Sequence, residues 1–437
     1  MKSTRQRVND FLKAIGMDFK EIDMGKYCRL FAREMVTGLQ GKESSLKMIP
    51  TYIEMKKEIP CREPVIVLDA GGTNLRVAVV RFNMEGEALI SDFARYPMPG
   101  IDGEVTKKEF FKTITGYLHP LLNASEKIGF CFSYPTERMP DKDGRVINFS
   151  KEVKAKEVEG KLIGRGLLAA IKSAGYKADK HVVLLNDTVS AMLAAQAATA
   201  GHLYSEYIGF VLGTGTNSCY LESNRNITKN RKLIPDNSQI INIESGNFDK
   251  VPGGIIDRQL DNATIDPGRH TFEKMISGAY LGPLCGKTIK KAADDNLLSD
   301  TFKEKMVNLH SLDTRDINSY LFEPHNQANT LSSYLYGSRE EDYNTIYYII
   351  ESLVERAAKL AAINLASVAL KTCGGRSPDK PLCISAEGTT FYRVKSLQTK
   401  IKYYLDDYLM KKNNCFYEII NVKNSSLIGA AIAGLTN

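Results

Sequence analysis

Apolar positions along the chain change their spacing at residue 64. Before it, Phe11, Leu12 and Ile15, then Tyr27, Leu30 and Phe31, recur at intervals of three and four. That spacing predicts helices, with an irregular end before residue 58. Pro60 and Pro64 flank Cys61-Arg62-Glu63 and mark a boundary. Short apolar runs follow. Residues 65–68 form one, ending at Asp69. Ala70-Gly71-Gly72-Thr73-Asn74 reads as a tight turn, residues 75–82 as a returning strand, and 88–94 as a third strand. The pattern then predicts a helix over 107–122, a strand over 128–134 ending in Ser-Tyr-Pro, a helix over 160–173, and a strand over 181–187 ending in Asn-Asp-Thr.

The order repeats further on. Residues 207–212 read as a strand, Gly213-Thr214-Gly215-Thr216-Asn217 as a turn, 218–223 as a returning strand and 239–244 as a third. Helical patterns follow at 266–281, near 294–310 and across 343–371, with strands at 382–386 and 417–422 and a small-residue helix over 426–435. The same architecture occurs twice without close sequence repetition. It predicts an α/β protein of two domains with a cleft between them.

Composition narrows the classes. Of 437 residues, 43% are hydrophobic and 25% charged, as in an ordinary globular protein of two or three domains. No apolar run reaches the ~18 residues of a membrane span, and the basic start lacks the apolar stretch of a secretory signal, so a cytoplasmic location is expected. Net charge is +7 and dispersed; pairs such as Lys56-Lys57 and Lys411-Lys412 read as solvated surface, and nucleic-acid binding is not expected. Eight cysteines stand apart with no CxxC pair, and six histidines do not cluster, which disfavours zinc sites, dithiol chemistry and a disulfide scaffold.

Chemistry concentrates in the turns. Adjacent Gly71 and Gly72 remove side chains so that backbone N–H groups can approach a phosphate, with Thr73 and Asn74 as neutral donors. Asp69 at the strand end can order the water shell of Mg²⁺. Gly213, Thr214 and Gly215 repeat that logic. Either turn alone reads equally as a plain hairpin; together they favour phosphate. Neither is a GxGxxG fingerprint, since Ser218 stands where the last glycine belongs. GPLCGKT at 282–288 is one residue short of a P-loop and follows a helical pattern, so it reads as structural. Asp187, just after the apolar run 182–185, can take a proton from an attacking alcohol, or can simply cap the helix that follows. Ser133, Ser150-Lys151, Asn217, Asn242-Ile243-Glu244 and Glu273 are strand-end polar residues able to grip a polyol.

The strings SLKMIPTYI, LDAGGTNLRVAVV, GFCFSYP, LLNDTVSAML, GFVLGTGTNSCYLE, INIESGNFD and TFEKMISGAYLG occur in this order. Across roughly residues 45–435 the chain thereby resembles the hexokinase family, within the actin-like sugar-kinase and Hsp70 superfamily. The resemblance implies two actin-like (ribonuclease H-like) α/β domains flanking a deep cleft. It implies a small domain over 64–185, completed by the helix 426–437, and a large one from 1–58 and 187–424. It implies ATP-dependent phosphorylation of a hexose 6-hydroxyl, glucose foremost, in a monomer or homodimer, with Mg²⁺ and ATP as co-substrate. Asp187 matches the catalytic base. Ser133, Ser150, Lys151, Asn186, Asn217, Glu244 and Glu273 match sugar contacts. Asp69, Gly71, Gly72, Thr73, Asn74, Arg76, Gly213, Thr214, Gly215 and Ser426 match nucleotide positions, and Asp69 and Asp187 face the metal mainly through water. Departures are Ser245 where the family carries an aromatic, Glu387-Gly388-Thr389 for Asp-Gly-Ser, and Asn424-Ser425-Ser426 at the adenine loop. A kinase preferring mannose or fructose, a sugar-sensing regulator with little catalysis, and an actin-like ATPase are the alternatives.

Overall fold

The computed structural model describes residues 2–55, 58–149, 152–176, 179–199, 201–306 and 311–437. The amino-terminal segment forms helices α1 (Thr4–Ala14) and α2 (Met24–Leu39), started by the Ser3 and Asp23 side chains that cap free N–H groups. Their apolar stripes, including Phe11, Leu12, Phe31 and Met35, are buried in the largest core. A short strand, β1 (Ile49–Pro50), leads into β2 (Val65–Gly71), β3 (Asn74–Phe82) and β4 (Ala88–Pro97). Helix α3 (Lys107–Leu118) ends four residues before the expected 122, because Pro120 has no N–H to continue it. Then come β5 (Lys127–Phe132), the hairpin β6 (Thr136–Arg138) and β7 (Gly144–Val146), α4 (Ile163–Ser173), β8 (His181–Leu185) and α5 (Asp187–Ala198).

The second half carries β9 (Tyr207–Leu212), β10 (Thr216–Ser223), β11 (Ser238–Asn242) and helices α6 (Ile255–Asn262), α7 (Thr271–Ile276), α8 (Leu281–Asp294), α9 (Asp300–Met306), α10 (Thr314–Phe322), α11 (Thr330–Leu335) and α12 (Glu340–Thr372). The chain closes with β12 (Leu382–Glu387), α13 (Thr389–Arg393), α14 (Leu397–Leu405), β13 (Tyr417–Ile420) and α15 (Ser425–Thr436). The single helix expected at 266–281 is two. His270 is left-handed and Ser277 extended, which frees Gly278 N–H and Ala279 N–H to reach the carbonyls of Gly213 and Thr214. Of the expected 294–310 helix, Asp294 belongs to the end of α8 and Asp300–Met306 forms α9; Asn296 at φ 59° breaks the run between them, and 307–310 lie outside the described residues.

Among the described residues, β4-β3-β2-β5-β8 form a five-stranded sheet and β1-β11-β10-β9-β12-β13 a six-stranded one. In each, an antiparallel hairpin pairs with a parallel neighbour: β2 with β5, and β9 with β12. The two sheets thus show the repeated architecture that the pattern implied. Helices α5 and α15 lie between them, sharing one core with Val65, Val67, Cys219 and Ile240. Gly129 and Gly429 permit the close approach: a Cβ on Gly129 would lie 1.8 Å from the Ala430 carbonyl oxygen, and one on Gly429 would lie 2.1 Å from that of Ser190. No helix among the described residues is long and apolar enough to cross a membrane.

Candidate active site

The first glycine turn is the β2–β3 hairpin. Gly71 pairs with Asn74, and Gly72 takes φ 62°, which disfavours a side chain. Gly71, Gly72 and Thr73 are exposed. Three bonds fix the loop: Tyr134 Oη donates to the Gly72 carbonyl (2.5 Å), Met98 N–H to that of Thr73 (3.0 Å), and Arg95 Nε to Asn74 Oδ1 (2.9 Å). Ser133, exposed at the end of β5, donates its N–H to the Ala70 carbonyl at 2.9 Å and so adjoins this turn.

Asp69 is 4% exposed beneath it. Its carboxylate accepts from the Arg76 guanidinium and from Ser426 Oγ (3.0 Å), and Arg76 also donates to Ser426 Oγ at 3.0 Å. Asp69, Arg76 and Ser426, more than 350 positions apart at the extremes, form one cluster that anchors the start of α15 to β2 and β3.

Asp187 is the first residue of α5. Asn186, not Asp187, is the cap: its Oδ1 accepts from Val189 N–H at 3.0 Å. The alternative in which Asp187 serves only as a cap is therefore set aside. Asp187 Oδ1 accepts from Thr188 N–H (2.7 Å) and Thr188 Oγ1 (3.2 Å). Burial raises its pKa above the ordinary value; those two bonds oppose the rise, and the charges of Asp69 and Glu244 add to it. An acid so placed keeps a stronger appetite for a proton than a surface aspartate.

The second glycine turn joins β9 and β10. Besides the Gly278 and Ala279 amides, Thr390 Oγ1 donates to the Gly213 carbonyl at 2.8 Å. Beside the turn, Glu273 Oε2 accepts from Thr216 N–H at 2.8 Å. Burial pushes the Glu273 carboxyl up to about 7, opposed by that N–H and helped by the charges of Glu244 and Asp266. Lys274 holds its helix in place: 3% exposed, its ammonium reaches Asp261 Oδ1 (2.7 Å), Thr264 Oγ1 (2.8 Å) and Asp266 Oδ1 (3.1 Å).

Glu244 sits in the left-handed region at φ 60°, a conformation that costs a non-glycine residue ~1–2 kcal/mol. Asn242 Nδ2 donates to its Oε1 at 2.7 Å, and Asn217 Nδ2 donates to Asn242 Oδ1 at 2.6 Å. Asn217 Oδ1 in turn accepts from Ser218 N–H (2.8 Å) and Ser245 N–H (3.3 Å).

The structure therefore gathers Asp69, Arg76 and Ser426 by direct bonds, and Asn217 with Glu244 through Asn242. Glu244 and Asp69 are close enough to act on Asp187, and Glu244 on Glu273. Thr214 and Gly215 lie in the second turn, Thr214 exposed. Ser150 and Lys151 lie outside the described residues. Sequence reasoning did not single out Lys274, or Asn364 on α12; a lone amide in the apolar run 360–366 was the available signal for the latter.

Two family models, each described as hexokinase, match residues 8–197 and 207–436. Hexokinase-1 of Schizosaccharomyces pombe is 26% identical over 422 residues, 92% of this chain and 85% of that protein. Hexokinase-3 of Rattus norvegicus is 29% identical over 388 residues, 82% of this chain; the chain spans 40% of the length of that relative. The solved hexokinase of Schistosoma mansoni, complexed with glucose, shares the fold with a TM-score of 0.79 at 23% identity, covering 99% of this chain and 100% of that one.

Proposed function

The chain belongs to the hexokinase family, and from that premise we propose that it transfers the γ-phosphoryl group of ATP to the 6-hydroxyl of a hexose, glucose foremost, with Asp187 as the general base. The observation that carries this reading is Asp187 at the junction of β8 and α5, where burial raises its proton affinity and the charges of Asp69 and Glu244 add to the rise.

The hexose hydroxyls would be held by Ser133, Asn186, Asn217, Glu244 and Glu273, joined by Ser150 and Lys151. Hydrogen bonds to carboxylates are the strong ones, ~1.5–3 kcal/mol each. Asn242 and Thr216 fix the orientation of two of those acids before sugar arrives, which reduces the ordering cost of binding. Asp187 accepts the proton of the 6-hydroxyl as its oxygen attacks phosphorus, a contribution worth roughly 10²–10⁴ in rate. Because phosphoryl transfer passes through a loose transition state, the N–H groups of the turns at Gly71-Gly72-Thr73-Asn74 and Gly213-Thr214-Gly215 act by positioning and charge stabilisation. Arg76 and Ser426 hold Asp69 at the nucleotide side. Asp69 and Asp187 fit a Mg²⁺ ion taken largely through water. No group of three or more His, Cys, Asp or Glu among the described residues forms a cage, and Mg²⁺ characteristically uses one or two carboxylates with substrate phosphates. When bound, it neutralises phosphate charge. Sugar contacts on both halves of the chain, Ser133 on one and Glu244 and Glu273 on the other, would draw the halves together and exclude water, the competing nucleophile.

A coupled assay for ADP release with glucose, mannose, fructose or no sugar tests the reading. Hexose-dependent turnover is expected. Asp187→Asn should lose ~10²–10⁴ in kcat while calorimetric glucose affinity changes little. Near-normal kcat in that variant refutes the base. ATP hydrolysis without sugar would favour an actin-like ATPase, and sugar binding without turnover a sensing protein.

A further inference from the structure

Behind Glu244 lies a closed polar ring inside an otherwise apolar core. Ser218 Oγ donates to Asn364 Oδ1 at 2.9 Å, and Asn364 Nδ2 donates to Ser245 Oγ at 3.1 Å. Ser218, Ser245 and Asn364 are all fully buried. The ring closes on the site side through Asn217 Oδ1, which receives the N–H groups of Ser218 and Ser245, and through Asn242, which joins Asn217 to the Glu244 carboxylate. Asn364 is the member on α12, whose neighbours Ala361, Ala362, Ile363, Leu365 and Ala366 are all buried and apolar.

A buried amide in such a helix is costly unless its polar groups are matched. Here both ends of the amide are matched, and both partners adjoin residues of the sugar site: Ser218 follows Asn217, and Ser245 follows Glu244. Glu244 is left-handed, a backbone state that persists only where its surroundings over-determine it.

We propose that Asn364 is a positioning residue for hexose binding: through Ser218 and Ser245 it fixes the left-handed Glu244 and the Asn217 amide in the geometry that receives the sugar hydroxyls. The inference rests on the hexose-kinase reading above.

The test compares three proteins in the coupled assay, with melting temperature measured alongside. Wild type reports on the kinase reading itself. Asn364→Leu keeps the branched shape in a somewhat bulkier side chain but strands the two serine hydroxyls in the core, and should lower the melting temperature. The triple variant Ser218→Ala, Ser245→Ala, Asn364→Leu replaces every partner by an apolar group and should recover stability, since no buried group is left unmatched. The proposal expects the hexose KM to rise roughly tenfold or more in both variants, with the MgATP KM within about twofold. A role in stability alone expects the triple variant to recover hexose KM together with melting temperature, and that result overturns the proposal. So does an unchanged hexose KM in Asn364→Leu. Should the single variant fail to fold, the triple variant decides. Wild type inactive on every hexose overturns the kinase reading and the proposal with it; active wild type with unmoved variants overturns the proposal alone.

Discussion

Consider Glu273→Gln. In the folded protein the Glu273 carboxyl titrates at about 7 against an ordinary 4.5. The cause is burial, augmented by Glu244 and Asp266 and only partly offset by Thr216 N–H. Between about pH 4.5 and 7 the folded state therefore retains a proton that the unfolded chain has released. The native state binds more protons across that window, so the unfolding free energy falls as pH rises through it. Below it the penalty is absent, and above it the penalty is complete. At 1.36 kcal/mol per unit, and allowing for the solvent that still reaches this side chain, the penalty at pH 8 is roughly 2–3 kcal/mol. Glutamine has nearly the same shape, carries no charge, and keeps an oxygen to accept from Thr216 N–H. Glu273→Gln should thus match wild type near pH 5 and exceed it by roughly 2–3 kcal/mol at pH 8. At an unfolding entropy of ~2.1 cal/mol/K per residue, this corresponds to a rise of roughly 2–3 °C in Tm. The assay is thermal or urea unfolding of both proteins at pH 5, 6, 7 and 8. A stability difference that does not change with pH, or one that shrinks toward pH 8, refutes the account of this carboxylate. Above about pH 7, where Glu273 is charged, the same variant should bind hexose more weakly, since a neutral amide replaces a charged acceptor.

Two further variants probe the framework and the second turn. Arg356, 2% exposed, grips Asp257 with two bonds (3.0 and 2.6 Å), and Asp257 also takes the N–H of Gly254 at the start of α6; Arg356→Met leaves that carboxylate buried without its partner and should cost about 3–5 kcal/mol in urea unfolding, with the hexose KM of the folded fraction unchanged. Gly388 has φ 112°, and a Cβ there would lie 2.2 Å from the Leu212 carbonyl oxygen and 2.7 Å from Gly213 N; Gly388→Ala should displace the second turn, raising the MgATP KM several-fold while calorimetric hexose affinity holds.

What could be read from the chain alone was whatever the backbone demands locally. Of the paired glycines at 71–72, Gly72 opens the two-residue turn and adopts the positive φ that favours an empty Cβ, while Gly71 ends the strand before it. Asp187 follows an apolar run whose length sets the end of a buried strand, so its place at the strand-to-helix junction was legible without a fold. Helix ends were less legible because distant groups decide them: the 266–281 pattern is interrupted since the backbone at 278–279 is recruited by the glycine turn some sixty residues earlier. Nothing in the local pattern distinguished Asn186 from Asp187 as the cap, nor bound Ser426 to Asp69, nor seated the Glu273 carboxylate on Thr216. Asn364 shows the limit most sharply. Along the sequence it is one amide in the apolar run 360–366; only the meeting of α12 with β10 and the Glu244 loop supplies the two serine hydroxyls that make its burial tolerable. Hydrogen-bond matching inside a core is a property of pairs brought together by packing, and no single segment carries it.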